Sequence, residues 1–183
     1  RWAEVGRCKA VVVDEEPLFD LRSVRHPLLV LQGGEVVPSD LRLRAGQALV
    51  ISGPNAGGKT VALKCLGLAV WMVRAGIPLP VGEETRLGWF GRVLSDIGDD
   101  QSIERSLSTF SAHVANLSRI LGQSDERTLV LLDEVAGGTD PDEGSALAAA
   151  VLEALVERGA AVAATTHYER LKELAHDDER FVN

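Results

Sequence analysis

The chain has 183 residues, 45% of them hydrophobic, and a formal net charge of −8. That length carries one domain with a sizeable core. The acidic balance places most phosphate contacts to any nucleic acid outside these residues, because nucleic-acid surfaces carry a basic surplus. The longest nearly unbroken apolar run, Cys65 to Val73, is about half of what a membrane span needs, and the N-terminus has no basic-then-apolar leader. A cytoplasmic protein without a membrane partner is therefore expected. Cys8 and Cys65 have no metal-like spacing and read as reduced core or surface thiols rather than a disulfide.

In chain order, Ala10 to Val13 and Leu28 to Leu31 are short β-like pieces, followed by Gly33-Gly34 and the apolar pair Val36-Val37. They predict a small antiparallel flap ahead of the core. Within it, Arg25-His26-Pro27 read alone is a surface turn. Leu41 to Ala45 alternates apolar and charged residues, Gly46-Gln47 turns the chain, and Ala48 to Ile51 suits a buried strand. Val61 to Val73 suits a buried helix. Between that strand and that helix, Gly53, Gly58, Lys59 and Thr60 fit G-x-x-x-x-G-K-[ST], the phosphate-binding P-loop pattern. Glycines let the backbone curl so that successive N–H groups face phosphate oxygens, and the following helix aims its positive end at the same place. Lys59 is placed to reach the β/γ-phosphates, and the Thr60 hydroxyl to bind Mg²⁺.

Gly76-Ile77-Pro78-Leu79-Pro80 ends helical structure, and Trp89 to Ile97 reads as a strand. A polar loop from Gly98 to Leu107 carries Asp99, Asp100 and Gln101, which by themselves fit a solvated loop. Ser108-Thr109 supply an N-cap for a helix with Phe110, Val114, Leu117, Ile120 and Leu121 at helical spacing. The same hydroxyls at a helix N-terminus make an anion site, and the two roles are compatible. Thr128 to Leu132 is an apolar strand ending in Asp133-Glu134, the Walker B arrangement: Asp133 to hold magnesium directly or through water, Glu134 to polarise the attacking water. Pro141 to Glu157 is an alanine-rich helix, Ala160 to Thr166 a further strand, and Tyr168 to Ala175 a last helix. His167 emerges from that strand on the rim where parallel sheets bind ligands, either sensing the γ-phosphate and its water or lying in a surface turn. Strands alternating with helices predict an α/β fold with a mostly parallel sheet covered on both faces.

Five motifs in order carry a resemblance over nearly the whole chain. Arg25 to Leu28 (Arg-His-Pro-Leu), Gly53 to Thr60, Ser108 to Phe110 (Ser-Thr-Phe), Leu131 to Thr139 and Ala164 to Tyr168 resemble the MutS family of ATPases. Ile97 to Glu104, Ser111-Ala112-His113 and Gly138-Thr139-Asp140-Pro141 resemble the sub-branch that lacks the mismatch-reading domain. The resemblance implies a P-loop NTPase of ABC type that works as a two-fold dimer and sandwiches two nucleotides with Mg²⁺. ATP or ADP is then held by Gly53, Pro54, Asn55, Ala56, Gly57, Gly58, Lys59, Thr60 and Val61, with help from His26. Ser108 and the segment Gly137-Gly138-Thr139 reach the partner's nucleotide. The catalytic set implied is Lys59, Glu134, His167 and Ser108, and the metal set is Thr60 and Asp133.

The resemblance further implies an excised ATPase domain, with clamp arms before residue 1 and a dimerising end and nuclease-like domain after residue 183. That sub-branch is associated with suppressing recombination through branched DNA and with splitting collided ribosomes, so DNA or a ribosome is the expected macromolecular partner, contacted mainly outside these residues. Two other functions fit the same motifs: a nucleotide-gated dimerisation module with negligible turnover, and a membrane transporter's ATPase subunit. The transporter subunit carries Leu-Ser-Gly-Gly-Gln where this chain has Ser106-Leu107-Ser108-Thr109-Phe110.

Overall fold

The runs Ala48–Ser52, Thr128–Leu132 and Ala161–Thr166 are apolar almost throughout, and a strand of that composition must be covered on both faces. A computed structural model of the protein describes residues 2–5, 11–54, 57–98, 106–137, 140–168, 171, 174 and 178–183, with backbone alone at 3, 5, 12 and 106–110. In chain order the elements are α1 (Trp2–Val5), β1 (Val12–Asp14), β2 (Leu18–Val24), α2 (Pro27–Leu31), β3 (Ser39–Arg44), β4 (Ala48–Ser52) and α3 (Lys59–Arg74), followed by β5 (Arg86–Gly88), β6 (Arg92–Asp96), α4 (Ser106–Gln123), β7 (Thr128–Leu132), α5 (Pro141–Glu157), β8 (Ala161–Thr166) and β9 (Phe181–Val182).

The five-stranded sheet has the order β6-β7-β8-β4-β9, and every pairing in it is parallel. Alternate residues of each strand feed two separate cores, as a two-residue side-chain period requires. Val130 and Leu132 of β7, with Val162 and Ala164 of β8, meet Leu117 and Ile120 of α4 and Leu152 and Leu155 of α5. Leu129, Leu131, Ala161 and Ala163 face the other way, onto Leu63, Leu66 and Val70 of α3. Gly67 lets α3 lie close to the sheet, since a Cβ there would stand 2.9 Å from Leu131 Cδ1. The arrangement is an α/β fold, with a mostly parallel sheet between helices.

A second, four-stranded sheet of order β1-β5-β2-β3 covers the α3 side. In it β2 runs antiparallel to β3 and β5, while β1 and β5 are parallel. Phe19, Leu21, Leu41, Leu43 and Leu87 turn inward to join the α3 core, where Phe19 and Phe90 stack at 4.7 Å between centroids.

Several expectations are corrected. Leu28 to Leu31 is helix, not strand: Pro27 stands at the first helical position with its φ already set, and Gly33, at φ +75°, allows the turn that follows. Val36-Val37 is not in a strand, and Val37 is 81% exposed. The strand expected over Trp89 to Ile97 is confined to Arg92–Asp96, and just before it the Gly91 N–H is taken by the Arg127 carbonyl at 2.9 Å. The flap draws β5 from beyond α3 and includes one parallel pair, so it is neither wholly N-terminal nor wholly antiparallel. Helix α4 begins at Ser106, which puts Ser108 and Thr109 in its first turn rather than ahead of it. Of the last expected helix, Leu171 and Leu174 are helical and Tyr168 is not. Cys8 lies outside the described residues, and Cys65 is a buried free thiol whose pKa burial pushes up to about 11.

Candidate functional site

Parallel strands in register end together, and here that brings three loops to one rim. Ser52 of β4 pairs with Thr166 of β8, and Leu132 of β7 with Ala164 of β8. From β4 the chain passes through Gly53 at φ +141° to Gly58 at φ +80°, both conformations that disfavour a side chain. Gly58 then caps the sixteen-residue helix α3 without any side-chain hydrogen bond, leaving its N-terminal end open to an anion.

Lys59 is 5% exposed, and its Nζ donates to the Gly53 carbonyl at 2.5 Å and lies 3.4 Å from His167 Nε2. Thr60 Oγ1 donates to Asp133 Oδ2 at 2.8 Å, and Thr165 Oγ1 donates to Asp133 Oδ1 at 2.5 Å. The Asp133 N–H is held by the Asp96 carbonyl at the end of β6. Glu134 donates its N–H to Thr165 Oγ1 at 2.8 Å, and Glu134 Oε1 lies 3.1 Å from His167 Nε2. Glu134 has φ +49° and Ala136 φ +57°, so two residues with side chains sit in the left-handed region within one turn after β7. Lys59, Thr60, Asp133, Glu134 and His167 thus form one connected cluster.

Thr165 is a member that the sequence reading missed. It is fully buried, and its single hydroxyl serves both Asp133 and Glu134. Its signal was the threonine pair ending Ala161-Val162-Ala163-Ala164, where a buried hydroxyl demands a partner.

A cleft of about 770 Å³ opens off Gly57, Gly58 and Lys59, between the flap and β4, with Ser39, Asp40, Leu41 and Asn183 also on its walls. That is the volume of a small-molecule site. His26 lies elsewhere. It lines a second cavity of about 540 Å³ with Leu28, Val61, Lys64 and Trp71, and the two linings share no residue. His26 is 8% exposed and its buried Nδ1 has no hydrogen-bond partner. Burial, and then Lys64, hold its pKa below the ordinary value. Asn55, Ala56, Asp99, Asp100, Gln101, Gly138 and Thr139 lie outside the described residues, as does the Ser108 side chain.

The donor set suits a hard cation. Thr60 and Asp133 offer oxygen ligands side by side, and among the described residues no three acidic, histidine or cysteine side chains are grouped so as to hold a metal ion by themselves. Mg²⁺ is bound in this way, by one or two protein oxygens with phosphate and water completing the shell, rather than by an all-protein cage. Among the described residues no helix is long and apolar enough to cross a membrane.

The sequence matches MutS domain V over residues 49–183. Along its full length it is 54% identical to the protein named Endonuclease MutS2 from Pelotomaculum thermopropionicum and 51% identical to that from Gemmatimonas aurantiaca, covering 23% of each relative. A third, from Caldicellulosiruptor saccharolyticus, is 47% identical over the whole chain, again across 23% of its own length. The chain therefore spans about a quarter of the curated relatives it matches, and it belongs to the MutS family, in the company of its MutS2 proteins.

Proposed function

We propose that this chain is an ATP-binding and Mg²⁺-dependent ATP-hydrolysing domain, a P-loop NTPase of ABC type. The observation that carries the reading is the convergence of Lys59, Thr60, Asp133, Glu134 and His167 on one rim beside an uncapped helix N-terminus. Phosphoryl transfer asks little covalent chemistry of a protein and much positioning and charge stabilisation. Bound Mg²⁺ would neutralise charge developing on the phosphate oxygens, with Thr60 and Asp133 as its protein ligands. Lys59 supplies a buried cation next to the glycine loop, so its attraction for phosphate is little screened by water. Glu134 accepts the proton of the attacking water, and His167, within hydrogen-bond reach of it, orients that carboxylate. The base and sugar would occupy the cleft walled by Ser39, Asp40 and Asn183.

The site is completed by a second copy of the chain. The Ser108 and Thr139 segments close it from the partner, making a homodimer whose ATP cycle drives a clamp. Branched DNA or a ribosome is the object of that clamp and is held by other parts of the protein. The nuclease activity in the relatives' name belongs to those other parts as well.

Phosphate release and sedimentation with Mg-ATP test the reading together. The wild type is expected to release phosphate, and Glu134→Gln to bind ATP, dimerise and release almost none. Equal release by both proteins would remove Glu134 from its role. Nucleotide-dependent dimers without release in the wild type would leave a nucleotide-gated dimerisation module instead.

A further inference from the structure

Tyr168 follows His167 directly, yet its side chain turns away from the cluster to the loop after β7. Its hydroxyl donates to the Ala136 carbonyl at 3.0 Å, and its N–H is held by Thr166 Oγ1 at 2.9 Å. The phenol keeps its proton for this donation, because burial and then Asp140 push its pKa up. Opposite stands Gly144 of α5. A Cβ there would collide with the Tyr168 hydroxyl and come within 2.9 Å of the Ala136 carbonyl, so the three groups fit only with glycine at 144. The loop they grip is the strained one. Glu134 and Ala136 both have positive φ, and the Gly137 N–H returns to the Glu134 carbonyl at 2.9 Å. Left-handed backbone at residues with side chains costs on the order of a kcal/mol each and persists only where neighbours over-determine it. Thr165 fixes the start of the loop, through the Glu134 N–H, and the Tyr168 hydroxyl fixes its middle.

We propose that Tyr168 is a positioning residue for hydrolysis, whose hydroxyl, seated against Gly144, holds the Ala136 carbonyl and thereby keeps the Glu134 carboxylate where the attacking water must lie. The proposal rests on the hydrolytic reading above.

Tyr168→Phe keeps the ring and removes only the hydroxyl. Steady-state phosphate release is measured at chain concentrations raised until the rate per chain is constant, beside direct nucleotide binding. Tyr168→Phe is expected to lower kcat about tenfold, equivalent to ~1.4 kcal/mol of barrier, with KM and nucleotide Kd unchanged. Amide exchange at Gly137 is expected to rise in the same variant. Gly144→Ala, which displaces the hydroxyl, is expected to lower kcat similarly, and the double variant to lose less than the product of the two, since both act on one contact. A Tyr168→Phe enzyme with wild-type kcat, or one whose only change is a higher KM, overturns the proposal and leaves the hydrolytic reading standing. A wild type that binds nucleotide and releases no phosphate overturns that reading instead.

Discussion

Helix α3 borders two cavities, one of mixed polar and apolar lining and the other mostly apolar. The cleft at its N-terminal end, about 770 Å³, is bounded by the glycine loop and Lys59, by charged flap residues such as Asp40 and Arg42, and by apolar ones such as Phe19 and Leu43. The cavity along its flank, about 540 Å³, is bounded mainly by Leu28, Val61, Leu68, Trp71 and Ile97. The contrast follows from where each lies. The end of a helix and the carboxyl ends of parallel strands expose backbone donors and loop carboxylates, so that side can handle charge. The flank of a helix exposes only side chains, and here these are mostly carbon. A histidine placed there has its pKa lowered, as His26 does by burial and then by Lys64. His26 thus lines the flank cavity and not the cleft beside the glycine loop.

That contrast can be broken or sharpened by substitution, with the largest effects expected at the helix end. Lys59→Ala is expected to weaken Mg-ATP binding by about a hundredfold or more, through loss of a buried charge-assisted contact; equilibrium binding reads this, and wild-type affinity would undo the assignment. Glu134→Gln is expected to retain binding and to lose about 10²–10⁴-fold in turnover, the usual contribution of a positioned base. Thr165→Val removes the hydroxyl shared by Asp133 and Glu134. It is expected to cost about 1–3 kcal/mol of stability, the penalty of stranding buried polar groups, and to raise the Mg²⁺ concentration needed for half-maximal turnover. A denaturant titration and a magnesium titration separate these two effects.

On the flank, His26→Gln is expected to leave turnover unchanged and to show itself only in pH dependence. Because the folded His26 titrates below its ordinary 6.5, the unfolded chain binds more protons than the folded one between that value and the folded pKa. Stability is then complete above about 6.5 and declines as the pH falls through the window below it. The variant should show a flatter profile in thermal melts over the same range. A turnover defect in His26→Gln at neutral pH would erase the distinction between the two sides of α3.

The two sheets differ in how much of them could be read in advance. Thr128–Leu132 and Pro141–Glu157 occupy the residues predicted for them, because a strand buried on both faces is an apolar run and a long helix carries its own start signal, Asp140 before Pro141, whose carboxylate accepts from the Asp142 and Glu143 N–H groups. The flap strand β2 escaped notice although Phe19-Asp20-Leu21-Arg22 alternates, since a short amphipathic strand is defined mainly by what it pairs with. The same holds for β9, whose two residues become a strand only by lying against Ala48 and Leu49.

Among the site residues, the order and spacing along the chain determined the chemical types: a glycine loop with Lys59 and Thr60, a strand that ends in two carboxylates, and a strand that ends in His167. Those types are dictated locally, because each loop must follow directly from its own strand or helix. What tertiary structure decided is which of them meet. Parallel register brings Ser52, Leu132 and Thr166 to one rim and joins Thr60 to Asp133 across 73 residues of sequence and Asp133 to Thr165 across 32. The same packing puts His26 in a cavity along the flank of α3 and lets the Tyr168 hydroxyl reach Ala136, since distances between residues remote in sequence are set by how layers stack and not by the composition of any one segment.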